Sequence, residues 1–106
     1  MGSPNIDIAR NMKTIEWLKV ELLSDIAYLH SVFVNNDNNT KENLEDIISN
    51  IILESYILGK RLGIEYEDMD LALEENIKLN LIKEHKIEQW YGDISQLLEH
   101  IQPEEK

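Results

Sequence analysis

An unbroken helical period at the start of the chain constrains its fold more than any other feature. Ile8, Met12, Ile15, Leu18, Leu22, Ile26, Leu29 and Phe33 recur every three or four positions. Val20, Leu23 and Ala27 widen this stripe to about half the circumference at ~100° per residue. Strands alternate with a period of two, so the pattern commits residues 6–34 to one long helix. A surface helix needs a narrower stripe, and this one is therefore expected to be buried on two sides. The chain's only prolines, Pro4 and Pro103, lie at its ends and leave the interior free for long helices.

The run Asn35-Asn36-Asp37-Asn38-Asn39 ends the first helix. Asn and Asp compete with the helical backbone for hydrogen bonds and tolerate left-handed conformations. The run lacks the alternating ligands, central glycine and closing glutamate of a calcium loop, so it reads as a plain turn. Asn39-Thr40-Lys41-Glu42 then reads as a helix start, with Asn39 as N-cap and Glu42 at N3 of a capping box. The second helix should run to about Leu62, with Leu44, Ile47, Ile51 and Leu58 on one face. Gly63 would stop it after Lys60 and Arg61. A third helix is expected from about Glu67 or Asp68 to about Glu84-His85, carrying Met69, Leu73, Ile77 and Leu81. A fourth spans about Ile87 to Ile101, with a bend or close contact at Gly92.

No segment shows strand-like alternation. The expected architecture is all-α: a four-helix bundle with two long antiparallel helices and two shorter C-terminal ones. One domain would cover residues 6–101, after a disordered or tag-derived stretch at 1–5 and before a fraying tail at 102–106.

Length and charge narrow the function. A monomer of 106 residues buries only ~60–65% of its unfolded surface, so the wide apolar stripes predict at least a homodimer. The absence of cysteine excludes disulfides and thiolate zinc sites. Ten Lys and Arg against 21 Asp and Glu give a net charge of −11, which repels nucleic acid and anionic membranes. No apolar run reaches the ~18 residues of a membrane span, and no signal peptide opens the chain, so a reducing cytoplasm is the expected location.

Grouped carboxylates remain as the chemistry-bearing feature. Glu21 and Asp25 stand one turn apart on the first helix, with Ser24 beside them. On the second, Glu42, Asp46, Asn50 and Glu54 follow a four-residue spacing, with Leu53 and Ile57 in the same sector. Apolar neighbours there suggest that the sector faces another helix. The two groups could then form an oxygen-ligand site for Mg²⁺ or Mn²⁺. With 21 acids in 106 residues, such spacings also arise by chance on solvated faces. His30, His85 and His100 have no zinc-motif spacing, and His30 reads as a partly buried structural residue. No Gly-rich phosphate loop and no Gly-flanked serine is present. Trp17, Trp90 and Tyr91 read as core or interface positions.

Two stretches carry a family resemblance. Glu42-Asn43-Leu44-Glu45-Asp46-Ile47-Ile48, followed by Tyr56-Ile57-Leu58-Gly59-Lys60-Arg61-Leu62-Gly63-Ile64, resembles the second helix of MazG-type nucleotide pyrophosphohydrolases. Val20-Glu21-Leu22-Leu23-Ser24-Asp25-Ile26 stands where that family has its first acidic motif, and Lys78-Leu79-Asn80 with Lys83 resembles its basic, Asn-bearing stretch. His85-Lys86-Ile87-Glu88-Gln89-Trp90-Tyr91-Gly92-Asp93 resembles the ending of the smaller MazG-like group.

The resemblance implies an all-α bundle that forms dimers or pairs of dimers. It also implies Mg²⁺-dependent hydrolysis of a nucleoside triphosphate to the monophosphate and pyrophosphate. The implied metal ligands are Asp25 and Asp46, with Glu21, Glu42, Asn50 and Glu54 in support; Lys78, Lys83 and Asn80 would meet substrate phosphate. The family's first acid in each motif falls on Leu22 and Asn43, so the motifs are incomplete. Two functions follow: a divergent pyrophosphohydrolase of weak or lost activity, and a non-catalytic helical homodimer serving as an interaction or regulatory module.

Overall fold

In the computed structural model of the protein, residues 4–83 and 85–102 are described. Among them are five α-helices and no strand: α1 (Pro4–Asn35), α2 (Lys41–Arg61), α3 (Tyr66–Ile82), α4 (Lys86–Tyr91) and α5 (Asp93–Ile101). Residues 1–3 and 103–106, which carry most of the expected disordered start and frayed tail, lie outside the described residues, as does Glu84. Pro4 opens α1, the place in a helix where a missing N–H costs nothing.

The turn after α1 uses its asparagines as the composition suggests. Asn36 (φ 51) and Asn38 (φ 58) are both left-handed, a region that Asn visits more readily than most residues. The N-cap of α2 is Thr40 rather than the expected Asn39. Thr40 Oγ1 accepts the Asn43 N–H at 3.2 Å, whereas Asn39 Nδ2 donates to Asn36 Oδ1 at 3.1 Å inside the loop. The C-terminus of α2 is a Schellman motif: Gly63 (φ 94) donates to Lys60 O at 3.1 Å, and Ile64 N–H donates to Gly59 O at 2.9 Å.

The expected fourth helix is two helices. Gly92 takes φ 70, donates to Glu88 O at 2.9 Å and closes α4; α5 starts at the next residue. A left-handed residue cannot continue an α-helix, which turns the expected bend into a break.

The chain divides into two compact units, one ending at Glu65 and the other starting at Tyr66. In the first, α2 folds back along α1. Asn11 Nδ2 near the start of α1 donates to Arg61 O at the end of α2 at 3.0 Å, and Asn43 near the start of α2 reaches Tyr28 OH late in α1 at 3.4 Å. Leu18, Val32 and Ile47 are buried between the two helices. In the second unit α3 and α4 pack on α5, and Ile77 is buried.

α1 buries one face only. Ile8, Met12, Leu23, Ile26, Phe33 and Val34 stay more than half exposed, Leu23 at 69%. On a wheel they lie in one sector beside the face turned to α2.

Candidate metal centre

The heptad spacing of α1 and α2 decides which acids meet. Seven residues fall ~20° short of two full turns. Asp25 therefore points almost where buried Leu18 points, and Glu54 almost where buried Ile47 points. The contacts at the two ends of the pair set Leu18 level with Glu54 and Ile47 level with Asp25. Side chains on a helix lean toward its N-terminus, so in this antiparallel pair Asp25 and Glu54 lean toward each other.

The carboxyl of Glu54 reaches that of Asp25, with Glu21 close enough to act on it by charge. Glu54 is half-buried, and its Oε1 is fully shielded from solvent with no hydrogen-bond donor. Ionised carboxylates only accept hydrogen bonds, so the pair is satisfied when one of them holds a proton and donates. Loss of water pushes the Glu54 pKa up to about 7, helped by the hydrogen bond to Asp25 and by the negative charges of Asp25 and Glu21.

The structure brings together Glu21, Asp25 and Glu54. Glu42, Asp46 and Asn50 are exposed on α2. A four-residue step advances ~400°, so each position drifts ~40° from the last, and Glu42 ends ~120° from Glu54. The four therefore do not share one side of the helix. Asn43 is half-buried and held by the turn: its Nδ2 donates to Asn38 O at 2.6 Å as well as to Tyr28 OH. Leu22 is half-buried and apolar. Sequence reasoning passed over Tyr28, whose only mark was a phenol close to an apolar stripe.

The residues expected to meet phosphate belong to the second unit. Lys78 is exposed, 3.8 Å from Glu74 Oε1, too far for a hydrogen bond, and that shielded oxygen has no donor. Asn80 Nδ2 donates to Asn76 O at 2.8 Å within α3, and Lys83 is exposed. His30 is exposed, not partly buried as expected.

Among the described residues no group of three or more His, Asp or Glu side chains is arranged to hold a metal ion. A closed cage of protein ligands is therefore absent from them. Mg²⁺ does not need one: it keeps several waters and is held by one or two carboxylates plus substrate phosphates. The Asp25–Glu54 pair, with a shielded oxygen that lacks a donor, fits that lighter demand.

Among the described residues no helix is long and apolar enough to cross a membrane. Residues 8–94 match the model of the MazG-like family. No curated protein and no solved structure matches the chain.

Proposed function

The chain belongs to the MazG-like family, and on that premise we propose that it is a divergent nucleoside triphosphate pyrophosphohydrolase that binds Mg²⁺ weakly and turns over slowly at most. The observation that carries this reading is the Asp25–Glu54 carboxyl pair between α1 and α2, whose shielded oxygen lacks a donor. Asp25 and Glu54 would hold the cation, with Glu21 adding negative charge. Mn²⁺ would fit the same oxygens. When bound, such a cation neutralises phosphate charge and acidifies a bound water for attack on phosphorus.

The residues themselves account for the low expected rate. Leu22 supplies no ligand, and Asn43 spends its amide on the turn. Glu54 carries a proton in much of the population near neutrality, and that proton must leave before both carboxylates can face a cation. Lys78, Lys83 and Asn80 are the groups proposed to meet the substrate's phosphates.

A second reading has its own support. The exposed apolar sector of α1 favours a homodimer, or a pair of dimers, whose role is interaction or regulation without catalysis. Two measurements separate the readings: melting temperature against Mg²⁺, and pyrophosphate release from a panel of nucleoside triphosphates. The first reading requires a Mg²⁺-dependent rise in melting temperature that Asp25→Asn and Glu54→Gln abolish. Absence of any rise, with no pyrophosphate from any triphosphate, leaves the second.

A further inference from the structure

Near the start of α1 the charge of this acidic chain is locally reversed. Arg10, Lys13, Thr14 and Trp17 are spaced i, i+3, i+4 and i+7, so they share one face of the helix. With Ala9 they line a cleft of about 450 Å³, a volume within the usual range of small-ligand pockets. Arg10 and Lys13 are exposed, and neither forms an ion pair with a described carboxylate. Trp17, expected in a core or an interface, is 59% exposed.

We propose that this cleft binds an organic phosphate that carries an aromatic ring, the chemical class of the nucleoside phosphates. Arg10 and Lys13 take the phosphate, and Trp17 takes the ring. A guanidinium matches two phosphate oxygens with parallel N–H donors, and an ammonium adds a movable point charge. An exposed indole offers a face on which any flat ring can stack. Ala9 leaves space between the longer side chains, and the aliphatic stems of Arg10 and Lys13 give that space an apolar floor. Thr14 Oγ1 donates to Arg10 O at 2.9 Å, so its lone pairs are left to accept from a ligand hydroxyl or amine.

A third cation comes to the same place from α2. Asn11, next to Arg10, donates to Arg61 O at 3.0 Å, which sets the end of α2 beside this part of α1. Arg61 follows Glu54 by seven positions and leaves α2 within ~20° of the same direction. Trp17 precedes Glu21 by four positions, ~40° away on α1. Glu21 and Glu54 approach each other between the helices, so Trp17 and Arg61 project on one side of the pair, both displaced toward the start of α1. Arg61 is exposed and forms no ion pair with a described carboxylate.

The site rests on no part of the metal reading. Carboxylates repel a phosphate unless a cation stands between them, whereas these side chains attract it directly. The nearest acids on α1 do not cancel them. Glu16, one turn after Lys13, is held by Lys19 at 2.7 Å, and Asp7, one turn before Arg10, is exposed and pairs with neither cation. A chain of net charge −11 repels anions over most of its surface, so binding here depends on the local field and weakens as salt screens it.

The test is an ATP titration of the full chain in EDTA, read by NMR and by calorimetry. With no divalent cation present, its failure is separate from failure of the Mg²⁺ reading. ATP should shift the Trp17 indole signal and the amides of Arg10, Lys13 and Thr14. Adenosine and tripolyphosphate, each half of the ligand, should bind at least about tenfold more weakly. Arg10→Gln with Lys13→Gln should weaken ATP binding about tenfold or more, and so should Trp17→Leu, while Asp25→Asn leaves it unchanged. All these side chains except Asp25 are exposed, so helical signal should persist in the cleft variants. Absence of binding at about 1 mM ATP would overturn the proposal. So would shifts centred on other residues, equal binding of ATP and either half, or full affinity in the Arg10 and Lys13 double variant.

Discussion

The carboxyl groups of Asp25 and Glu54 meet between α1 and α2, each seven positions after a buried apolar residue, Leu18 and Ile47, and leaning toward the other. The same geometry that makes a helix seam apolar has been given two carboxyl groups, and they share one shielded place. Stability and ligand binding should both depend on the proton held there.

The first prediction is a loss of stability as pH rises from the acid range to neutrality. The Glu54 pKa rises from its ordinary value of 4.5 to about 7 on folding. A carboxyl raised in the folded state stabilises it fully below the unfolded value, and that contribution is lost as pH rises through the folded one. Unfolding free energy should fall between about pH 4.5 and 7 by on the order of 1–2 kcal/mol, the shift being discounted for the solvent around a half-buried group. Urea denaturation across this range checks it. Glu54→Gln should remove the fall.

Cation binding should follow the opposite pH course. A divalent ion needs both carboxylates ionised, so the Mg²⁺-induced rise in melting temperature should grow as pH passes through about 7. Asp46→Ala should leave the rise intact, since Asp46 is exposed and away from the pair. A rise that vanishes in Asp46→Ala but survives in Asp25→Asn would place the site elsewhere on α2.

Restoring the family's missing acids should not give equal results. Leu22→Glu adds a carboxylate one turn from Asp25 on a half-buried face and should tighten Mg²⁺ binding. Asn43→Glu instead breaks the bonds to Asn38 O and Tyr28 OH, at a cost of about 1 kcal/mol. Calorimetric titration with Mg²⁺ and thermal melting of each single variant separate the two effects.

Association should depend on the open sector of α1. Light scattering of the unaltered chain should give a particle of at least twice 12.4 kDa. Leu23→Asp with Phe33→Asp should shift it to monomer without loss of helical signal, since both side chains are exposed in the single chain.

The break at Gly92 gives a purely conformational test. Nothing lies within 4 Å of a Cβ built there, yet φ is +70. Gly92→Ala should therefore destabilise the second unit by about 1 kcal/mol through backbone strain alone, seen as a lower melting temperature.

Much of the fold follows from local rules that operate within a few residues. The period from Ile8 to Phe33, the asparagine turn and the Gly63 stop depend on neighbours along the chain, and those parts are legible without coordinates. Thr40 as the cap and Gly92 as a break were less so, because adjacent residues compete for one role and only the final backbone angles decide between them.

The sequence by itself determined the all-helical class, the first three helices in their order and the stock of carboxylates. Which carboxylates meet was a tertiary outcome. Glu42, Asp46, Asn50 and Glu54 are equally spaced in sequence, but a straight helix drifts ~40° at each step, and the direction in which α1 lies selects Glu54 alone. The raised pKa of Glu54 is likewise absent from its own segment, because it arises from lost water and from Asp25 and Glu21 on another helix. Helix formation is decided along the chain by hydrogen bonds four residues apart. Burial and charge coupling are decided across it, and only packing supplies the partner.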